Sequence, residues 1–281
     1  MPFQRNKAEL DNIMLIDSHL HLDFDEFAGD RDAVMARAAA AGVDAFVCIG
    51  IKVRDFDRVV KVAEAHDNVW CTVGTLPHFA DEEYDVTAAE LVAHTRHPKV
   101  IGIGEAGLDQ IYGNASWEAQ VKVFQAHIDA ARETQLPLVI HSVKQDEAMS
   151  DMLHAGMRKG SFPFVVHAFS GGPLLAETTV ELGGYFGFGG MLNYPDNQAM
   201  RAIAASVPSD RLLLETDSPS MAPWPTPNDR NEPARILTAA QLLADLRGVT
   251  LDTLARETTD NFYRLFGKAS RSKAPQSSGT A

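Results

Sequence analysis

Eight short apolar segments, each followed by a helix-forming stretch, run along this 281-residue chain. They fall at residues 13–21, 43–50, 69–74, 100–105, 137–141, 164–167, 185–188 and 211–217. Each is a short, apolar-rich run, the pattern of a strand buried on both faces. Residues 31–41, 55–66, 86–95, 117–133, 146–158, 173–182, 196–206, 232–246 and 251–266 read as helices, with Gly42 as a stop and Pro173 in a favoured first-turn position. Alternation of this kind implies a parallel sheet. Eight units fit a closed (β/α)8 TIM barrel of the α/β class, with an open doubly wound sheet as the alternative. No linker divides the chain, so residues 1–267 read as one domain. Residues 268–281, small, polar and proline-containing, read as a disordered tail.

In such a barrel the reactive groups sit at the carboxyl ends of the strands. Here those ends carry His19 and His21, Glu105, His141, His167 and Asp217. His19 and His21 are two apart in extended chain and so project to one side, which is half of a metal site. Taken singly, each histidine is equally well explained as a core or loop residue. Their joint placement after buried runs is not. Two carboxylates brought together without a cation would repel each other, and a bound divalent ion removes that penalty. Six ligands exceed what one catalytic zinc takes and suit two ions with a carboxylate between them. Glu105 is the natural bridge, with His19, His21 and Asp217 on one ion and His141 and His167 on the other. Mixed imidazole and carboxylate sites accept Mg²⁺, Mn²⁺, Zn²⁺ or Ni²⁺.

The other polar residues weigh less. His66, His94, His97, His127 and His154 lie on expected helices or their ends and read as surface or packing residues. His78, after Pro77 in the loop following the third strand, is placed to touch substrate. Glu215 shares a strand face with Asp217, which ranks first because it stands at the strand-to-loop edge. Gly102 to Gly107 spells G-x-G-x-x-G, but Glu105 would block a pyrophosphate and residues 109–114 read as loop rather than helix, so neither nicotinamide nor flavin is expected. Ser170 is not in a G-x-S-x-G elbow and reads as a turn or substrate contact.

A formal net charge of −13 argues against broad, non-specific polyanion binding, because affinity for a nucleic-acid backbone comes from clustered Lys and Arg, but it leaves room for an enzyme that binds a short nucleic-acid end through metals. The two cysteines, Cys48 and Cys71, lie in apolar runs and read as reduced core thiols of a cytoplasmic protein, with a disulfide possible only if neighbouring strands bring them together. No apolar stretch of about 18 residues suggests a membrane span, and residues 1–7 lack a signal-peptide core.

Taken together, Asp17-Ser18-His19-Leu20-His21-Leu22-Asp23, Gly104-Glu105-Ala106-Gly107-Leu108-Asp109, His141-Ser142, His167-Ala168-Phe169-Ser170-Gly171 and Glu215-Thr216-Asp217-Ser218-Pro219 resemble the motifs of the TatD family of metal-dependent hydrolases. Arg230-Asn231-Glu232-Pro233 and Thr259-Asp260-Asn261-Phe262 resemble its closing signatures, so the similarity covers residues 14–267. It implies an amidohydrolase-like barrel with deoxyribonuclease or 3′-exonuclease activity on DNA, single-stranded or at 3′ ends. Hydrolysis would use a metal-activated water, with Asp217 as ligand and proton acceptor, in a monomer. His78, Lys144, Ser170, Trp224 and Arg230 are the expected substrate contacts.

Three cationic positions depart from the family pattern. Val143-Lys144 stands where an arginine is usual, Met191-Leu192-Asn193-Tyr194-Pro195 lacks a lysine, and Trp224-Pro225-Thr226-Pro227-Asn228-Asp229 is not basic. These departures leave open a sister hydrolase acting on a small phosphoester, ester or amide, with Trp224, Tyr194, Met191 and Phe169 lining a more apolar pocket. A barrel without catalysis is disfavoured, since unneeded buried charge is expensive.

Overall fold

A computed structural model describes residues 14–270. Eight parallel strands form one sheet in chain order. They are β1 (Leu15–Leu20), β2 (Val43–Cys48), β3 (Val69–Val73), β4 (Val100–Asp109), β5 (Leu138–Val143), β6 (Phe164–Val166), β7 (Tyr185–Phe188) and β8 (Leu212–Leu214). The helices outside are α1 (Arg31–Ala40), α2 (Phe56–Glu64), α3 (Ala88–His94), α4 (Trp117–Thr134), α5 (Asp146–Lys159), α6 (Pro173–Glu181), α7 (Gln198–Ser206), α8 (Ile236–Arg247) and α9 (Leu251–Leu265). The alternation read from sequence is thus a barrel rather than an open sheet. Helix ends are fixed locally where the sequence offers a cap: Ser116 accepts from the Ala119 N–H at α4, and Thr250 from the Thr253 N–H at α9.

β1 and β8 meet at the seam. At the carboxyl end the Asp217 N–H donates to the His19 carbonyl (2.9 Å) and the His21 N–H to the Ser218 carbonyl (2.8 Å). Deeper in, the Ser18 hydroxyl donates to the Leu214 carbonyl (2.9 Å). Buried Asp17 receives the Thr216 N–H (3.0 Å) and hydroxyl (2.5 Å), and desolvation lifts its carboxyl to about 8. The barrel therefore closes through exactly those residues that carry β1 and β8 into the mouth.

Two apolar layers flank the strands. Inside, Ile16, Ala45, Val47, Ile101, Val139, Val165 and Leu213 pack on Phe262, Leu265 and Phe266 of the chain's last turns, which plug the amino end of the barrel. Outside, Phe46, Phe124, Ile128, Leu138, Leu243 and Leu254 fill the space between sheet and helices. Burying each such aromatic contributes about 1.5–3 kcal/mol. The closing signature Thr259-Asp260-Asn261-Phe262 is part of this plug. The Asn261 amide donates to the Ser209 and Leu212 carbonyls (2.7 and 2.9 Å), and the Thr259 hydroxyl to the Met14 carbonyl (3.0 Å), so α9 clamps both sides of the seam from below.

Several boundaries differ from those expected. β4 continues four residues past Glu105 to Asp109, where a loop was expected, because Gly107 lets the chain pass the His141 backbone: a Cβ there would collide with the His141 carbonyl oxygen. The three glycines of the G-x-G-x-x-G string therefore lie inside a strand, not at the mouth of a helix. β8 is shorter than expected, ending at Leu214, and Asp217 has a left-handed φ of 56° that turns the chain across the mouth. Cys48 and Cys71 are Cα partners on β2 and β3, and both are buried free thiols. Among the described residues no helix is long and apolar enough to cross a membrane. The readings of residues 1–7 and of most of the tail fall outside the described residues.

Candidate metal centre

The carboxyl mouth of the barrel holds a cluster of ionisable side chains that are as buried as the core beneath them. His19 is 1% exposed, Glu105 2%, and His21 and His167 5% each. His19 and His21 come from the end of β1, Glu105 from β4, His141 from β5, His167 from just past β6 and Asp217 from past β8. Glu105 stands at the centre. Its Oε2 lies 2.8 Å from His167 Nε2, 3.6 Å from His141 Nδ1 and 3.7 Å from His19 Nε2. Its Oε1 lies 3.8 Å from His21 Nε2. Asp217 Oδ1 completes the arc at 3.2 Å from His21 Nε2 and 3.6 Å from His19 Nε2. Two atoms each about 2.0–2.1 Å from a shared ion stand roughly 2.9–3.4 Å apart; the His21–Asp217 spacing of 3.2 Å falls in that range, and the 3.6–3.8 Å spacings are a few tenths of an ångström wider.

Hydrogen bonding points the same way. Both ring nitrogens of His19, Nδ1 of His167 and Oε2 of Glu105 are buried without a hydrogen-bond partner among the described residues. An unsatisfied buried polar atom costs about 1–3 kcal/mol, and a cation would answer several of them together. His141 Nδ1 and His167 Nε2 also face each other at 3.3 Å. Two imidazole lone pairs aimed at each other repel unless a proton or a metal ion lies between them. Three triads thus have the spacing to hold an ion: His19, His21 and Asp217; His19, Glu105 and His167; and His78, Asp109 and His141.

The far side of each ring shows how its donor atom is aimed. His21 Nδ1–H donates to the Ile49 carbonyl (3.3 Å), which turns Nε2 inward. His141 Nε2–H donates to Asp109 Oδ2 (3.0 Å), which leaves Nδ1 facing Glu105. His167 Nδ1 faces Glu215 Oε1 at 3.7 Å. Such outer carboxylates and carbonyls set the tautomer and basicity of a ligating histidine. Glu215 also accepts the Ala168 N–H, and it fits because Gly187 is bare: a Cβ there would overlap the carboxylate.

Charge follows the same geometry. Burial alone would raise Glu105, but His167 and His19 beside it hold its carboxyl well below the usual range. Burial alone would lower His167, but Glu105 and Glu215 keep it well above the ordinary imidazole value. Desolvation and the neighbouring His167 push His19 well below it. His19 is thus a neutral ring with a free lone pair, the form a metal needs.

A protein-family model described as TatD related DNase matches residues 16–267. The chain belongs to the TatD family. It is 34% identical over 260 residues to the metal-dependent hydrolase YcfH of Escherichia coli, covering 90% of this chain and 96% of that one. Over 260 residues it is also 34% identical to the 3′-5′ ssDNA/RNA exonuclease TatD of Erwinia amylovora, covering 90% of this chain and all (100%) of the relative. The crystal structure of YjjV, a TatD homologue from Escherichia coli, superposes with a TM-score of 0.84 at 32% identity, covering 90% of this chain and 98% of that one. This TatD-family chain is accordingly a metal-dependent hydrolase.

The residues singled out in the sequence fall into three sets. His19, His21, Glu105, His141, His167 and Asp217 come together. His78 lies beside them: its Nε2 meets Asp109 Oδ2 at 2.9 Å, so one carboxylate oxygen joins His78 and His141. Asp109 is the residue that sequence reasoning missed. It is fully buried, and its other oxygen caps the Ile111 and Tyr112 N–H groups (2.7 and 3.0 Å). Against the desolvation that would raise it, these bonds hold its carboxyl well below the usual range. The signal was its spacing from Glu105, four residues on and therefore on the same strand face. Lys144 and Ser170 line a separate depression beside Asp146 and Gly172. Trp224 stands half exposed on the loop after β8. Arg230 differs from what was expected of a substrate contact. Its guanidinium forks onto Asp30 (2.8 Å to each oxygen) and reaches Glu232 Oε1 (2.9 Å) and the Glu26 carbonyl (2.7 Å), so its donors clasp the loops after β1 and β8 together.

Proposed function

We propose that this TatD-family hydrolase is a phosphodiesterase that removes nucleotides from 3′ ends of single-stranded DNA, with one or two divalent cations bound at the barrel mouth. The convergence of four imidazoles and the Asp217 carboxylate around Glu105, with several donor atoms buried and unpartnered among the described residues, is the observation that carries this reading. The similarity to a relative named as a 3′-5′ ssDNA/RNA exonuclease supports the substrate. His19, His21 and Asp217 would hold one ion and His141 and His167 the other, with Glu105 between them. Mg²⁺, Mn²⁺, Zn²⁺ and Ni²⁺ all suit this donor set. When bound, such an ion supplies Lewis acidity that brings water nearer to deprotonation and offsets charge on phosphoryl oxygens.

The chain's own groups do the rest. Asp217 is the proton acceptor. Its side chain is 14% exposed against 3% for Glu105, so it is the cluster carboxylate open to an incoming water. Glu105, walled in by imidazoles, stays ionised and fixes the spacing between the two ligand groups. Glu215 and Asp109 aim His167 and His141 from behind. His78, tied to the cluster through Asp109, would contact substrate there, and Lys144, Ser170 and Trp224, on the loops after β5, β6 and β8, would meet it outside the cluster.

The test is nucleotide release from 5′-labelled single-stranded DNA with Mg²⁺ or Mn²⁺. Wild type should shorten the strand from an unblocked 3′ end, and Glu105→Ala should be slower by a factor on the order of 10³, the upper range for losing one electrostatic group at a reacting centre. Turnover of a small ester without any release from DNA would replace this reading with that of a sister hydrolase.

A further inference from the structure

Large apolar side chains that a fold leaves bare gather meaning when they collect near a site. Tyr112 is 73% exposed, Ile111 50%, Trp224 50% and Met221 37%. Ile111 and Tyr112 follow β4, and Met221 and Trp224 follow β8. In a barrel ordered β1 to β8, those two strands stand on opposite sides of the mouth. Each loop is tied to the centre. Asp109, which holds His141, caps the Ile111 and Tyr112 N–H groups with its other oxygen. Met221 lines a recess together with Asp217 and Glu215.

Of the other exposed aromatics, Tyr84 lies under Lys122 and donates to Glu118, while Trp117, 38% exposed, has no such partner among the described residues but opens α4 rather than standing on a loop. The Tyr112 and Trp224 side chains have no hydrogen bond, ring contact or cation partner among the described residues. Their backbones, by contrast, are held. Tyr112 is fixed by the Asp109 carboxylate, and Trp224 lies between Pro223 and Pro225 in a turn closed by the Thr226 N–H on the Pro223 carbonyl (3.1 Å). A bare ring on a fixed backbone is a preorganised contact that loses little entropy on binding.

Apart from Lys144, which has no ion pair among the described residues, the cations on the loops around the mouth are committed elsewhere. Arg230 is clasped to Asp30 and Glu232, Arg235 to Asp229, Arg58 to Asp23 and Asp25, and Lys52 to Glu82. A strand gripped here would thus not be held chiefly through its phosphates. We propose that Tyr112 and Trp224 are stacking posts, one on each side of the mouth, that grip unstacked bases of a single-stranded DNA end and supply most of the affinity in place of cations. The proposal rests on the phosphodiesterase reading. It adds that the enzyme selects strands whose bases are free to stack and binds them with little dependence on salt. A duplex hides its base faces and would be a poor ligand. Aromatic stacking of this kind is tolerant of sequence.

The experiment measures binding rather than turnover, so it stands apart from the activity test above. Fluorescein-labelled (dT)12 is titrated with metal-free protein in EDTA and followed by anisotropy at several salt concentrations. Tyr112→Ala and Trp224→Ala should each raise Kd by roughly 5- to 100-fold, the range of losing one base stack. Tyr112→Phe and Trp224→Phe should recover most of it. The slope of log K against log salt should be close to −1, against about −0.7 for each phosphate contact in a strand held by many cations. The bound strand should also quench tryptophan emission in wild type and not in Trp224→Phe. Unchanged Kd in both alanine variants, a steep salt slope, equal affinity for a blunt duplex, or no measurable binding by wild type would each overturn the proposal. Loss of 3′ trimming with stacking intact would overturn only the phosphodiesterase reading.

Discussion

At the amino end of the barrel Phe262 and Phe266 are at most 1% exposed and pack in an apolar cluster with Ile16, Ile101 and Leu213. At the carboxyl end His19 and Glu105 are equally hidden, at 1% and 2%, and carry donor atoms with no hydrogen-bond partner. The same strands link the two ends. What differs is which residue points inward: Ile101 below and Glu105 above on β4, Val139 below and His141 above on β5, and on β1 Ile16 below and His19 and His21 above, with a register shift between Asp17 and Leu20 separating the two levels. Stability is made below and held in reserve against the desolvation penalty above. The two ends should therefore respond oppositely to substitution and to metal.

The largest expected effect on stability lies in the plug. Phe262→Ala should destabilise the chain by about 3–5 kcal/mol, the usual cost of an aromatic removed from a close-packed core. Chemical denaturation measures it. Metal affinity of the molecules that remain folded should stay near wild type, because the cavity opens at the far end from the cluster. A stability loss below about 1 kcal/mol would mean that α9 is a lid rather than a plug.

Metal should act on the other end alone. A ligand that binds only the folded state stabilises it by about 2.7 kcal/mol at a hundredfold excess over Kd. Mn²⁺ or Zn²⁺ should thus raise the melting temperature of wild type by several degrees, at roughly 2–4 °C per kcal/mol for a chain somewhat smaller than this one. EDTA should abolish the rise. His19→Ala, which removes a residue shared by two of the three candidate triads, should lose most of it. A shift that survives His19→Ala would place the ion elsewhere.

Much of this contrast can be read in the sequence, for a physical reason. A strand buried on both faces must be apolar until it leaves the barrel, so a histidine or carboxylate directly after such a run marks the mouth. That rule finds His19, His21, His141 and His167 without coordinates. It serves less well where the backbone departs from plain alternation. β4 was expected to stop at Glu105, yet the glycines let it run on to Asp109. Glu215 and Asp217 share a face only until the left-handed turn at Asp217 separates them, after which one backs His167 and the other faces His21. Arg230 illustrates a different limit. Glu232, two residues on, is a local partner, but Asp30 and Glu26, which take the rest of its donors, lie some 200 positions away in the chain. The closing signature around Asn261 read as a family mark, and its physical meaning, a clamp on the seam, emerged only with the carbonyls it holds.

Asp109 offers the finest discrimination between a residue that supports the fold and one that tunes the site. Asp109→Asn preserves volume, and its oxygen can still cap the Ile111 and Tyr112 N–H groups, so the loop after β4 keeps its anchor. The new amide nitrogen, however, faces His141 Nε2 as a donor. His141 would then carry its proton on Nδ1, the atom that looks toward Glu105 and His167, and could no longer offer a lone pair there. Metal affinity should fall by about 10- to 100-fold, the usual cost of losing a carboxylate behind a ligating histidine. Stability of the metal-free protein should change far less than in Phe262→Ala. Calorimetric titration with Zn²⁺ reads the first quantity and chemical denaturation in EDTA the second. A variant that loses stability without losing metal would make Asp109 a brace for its loop. One that keeps both would mean that His141 takes its orientation from packing alone.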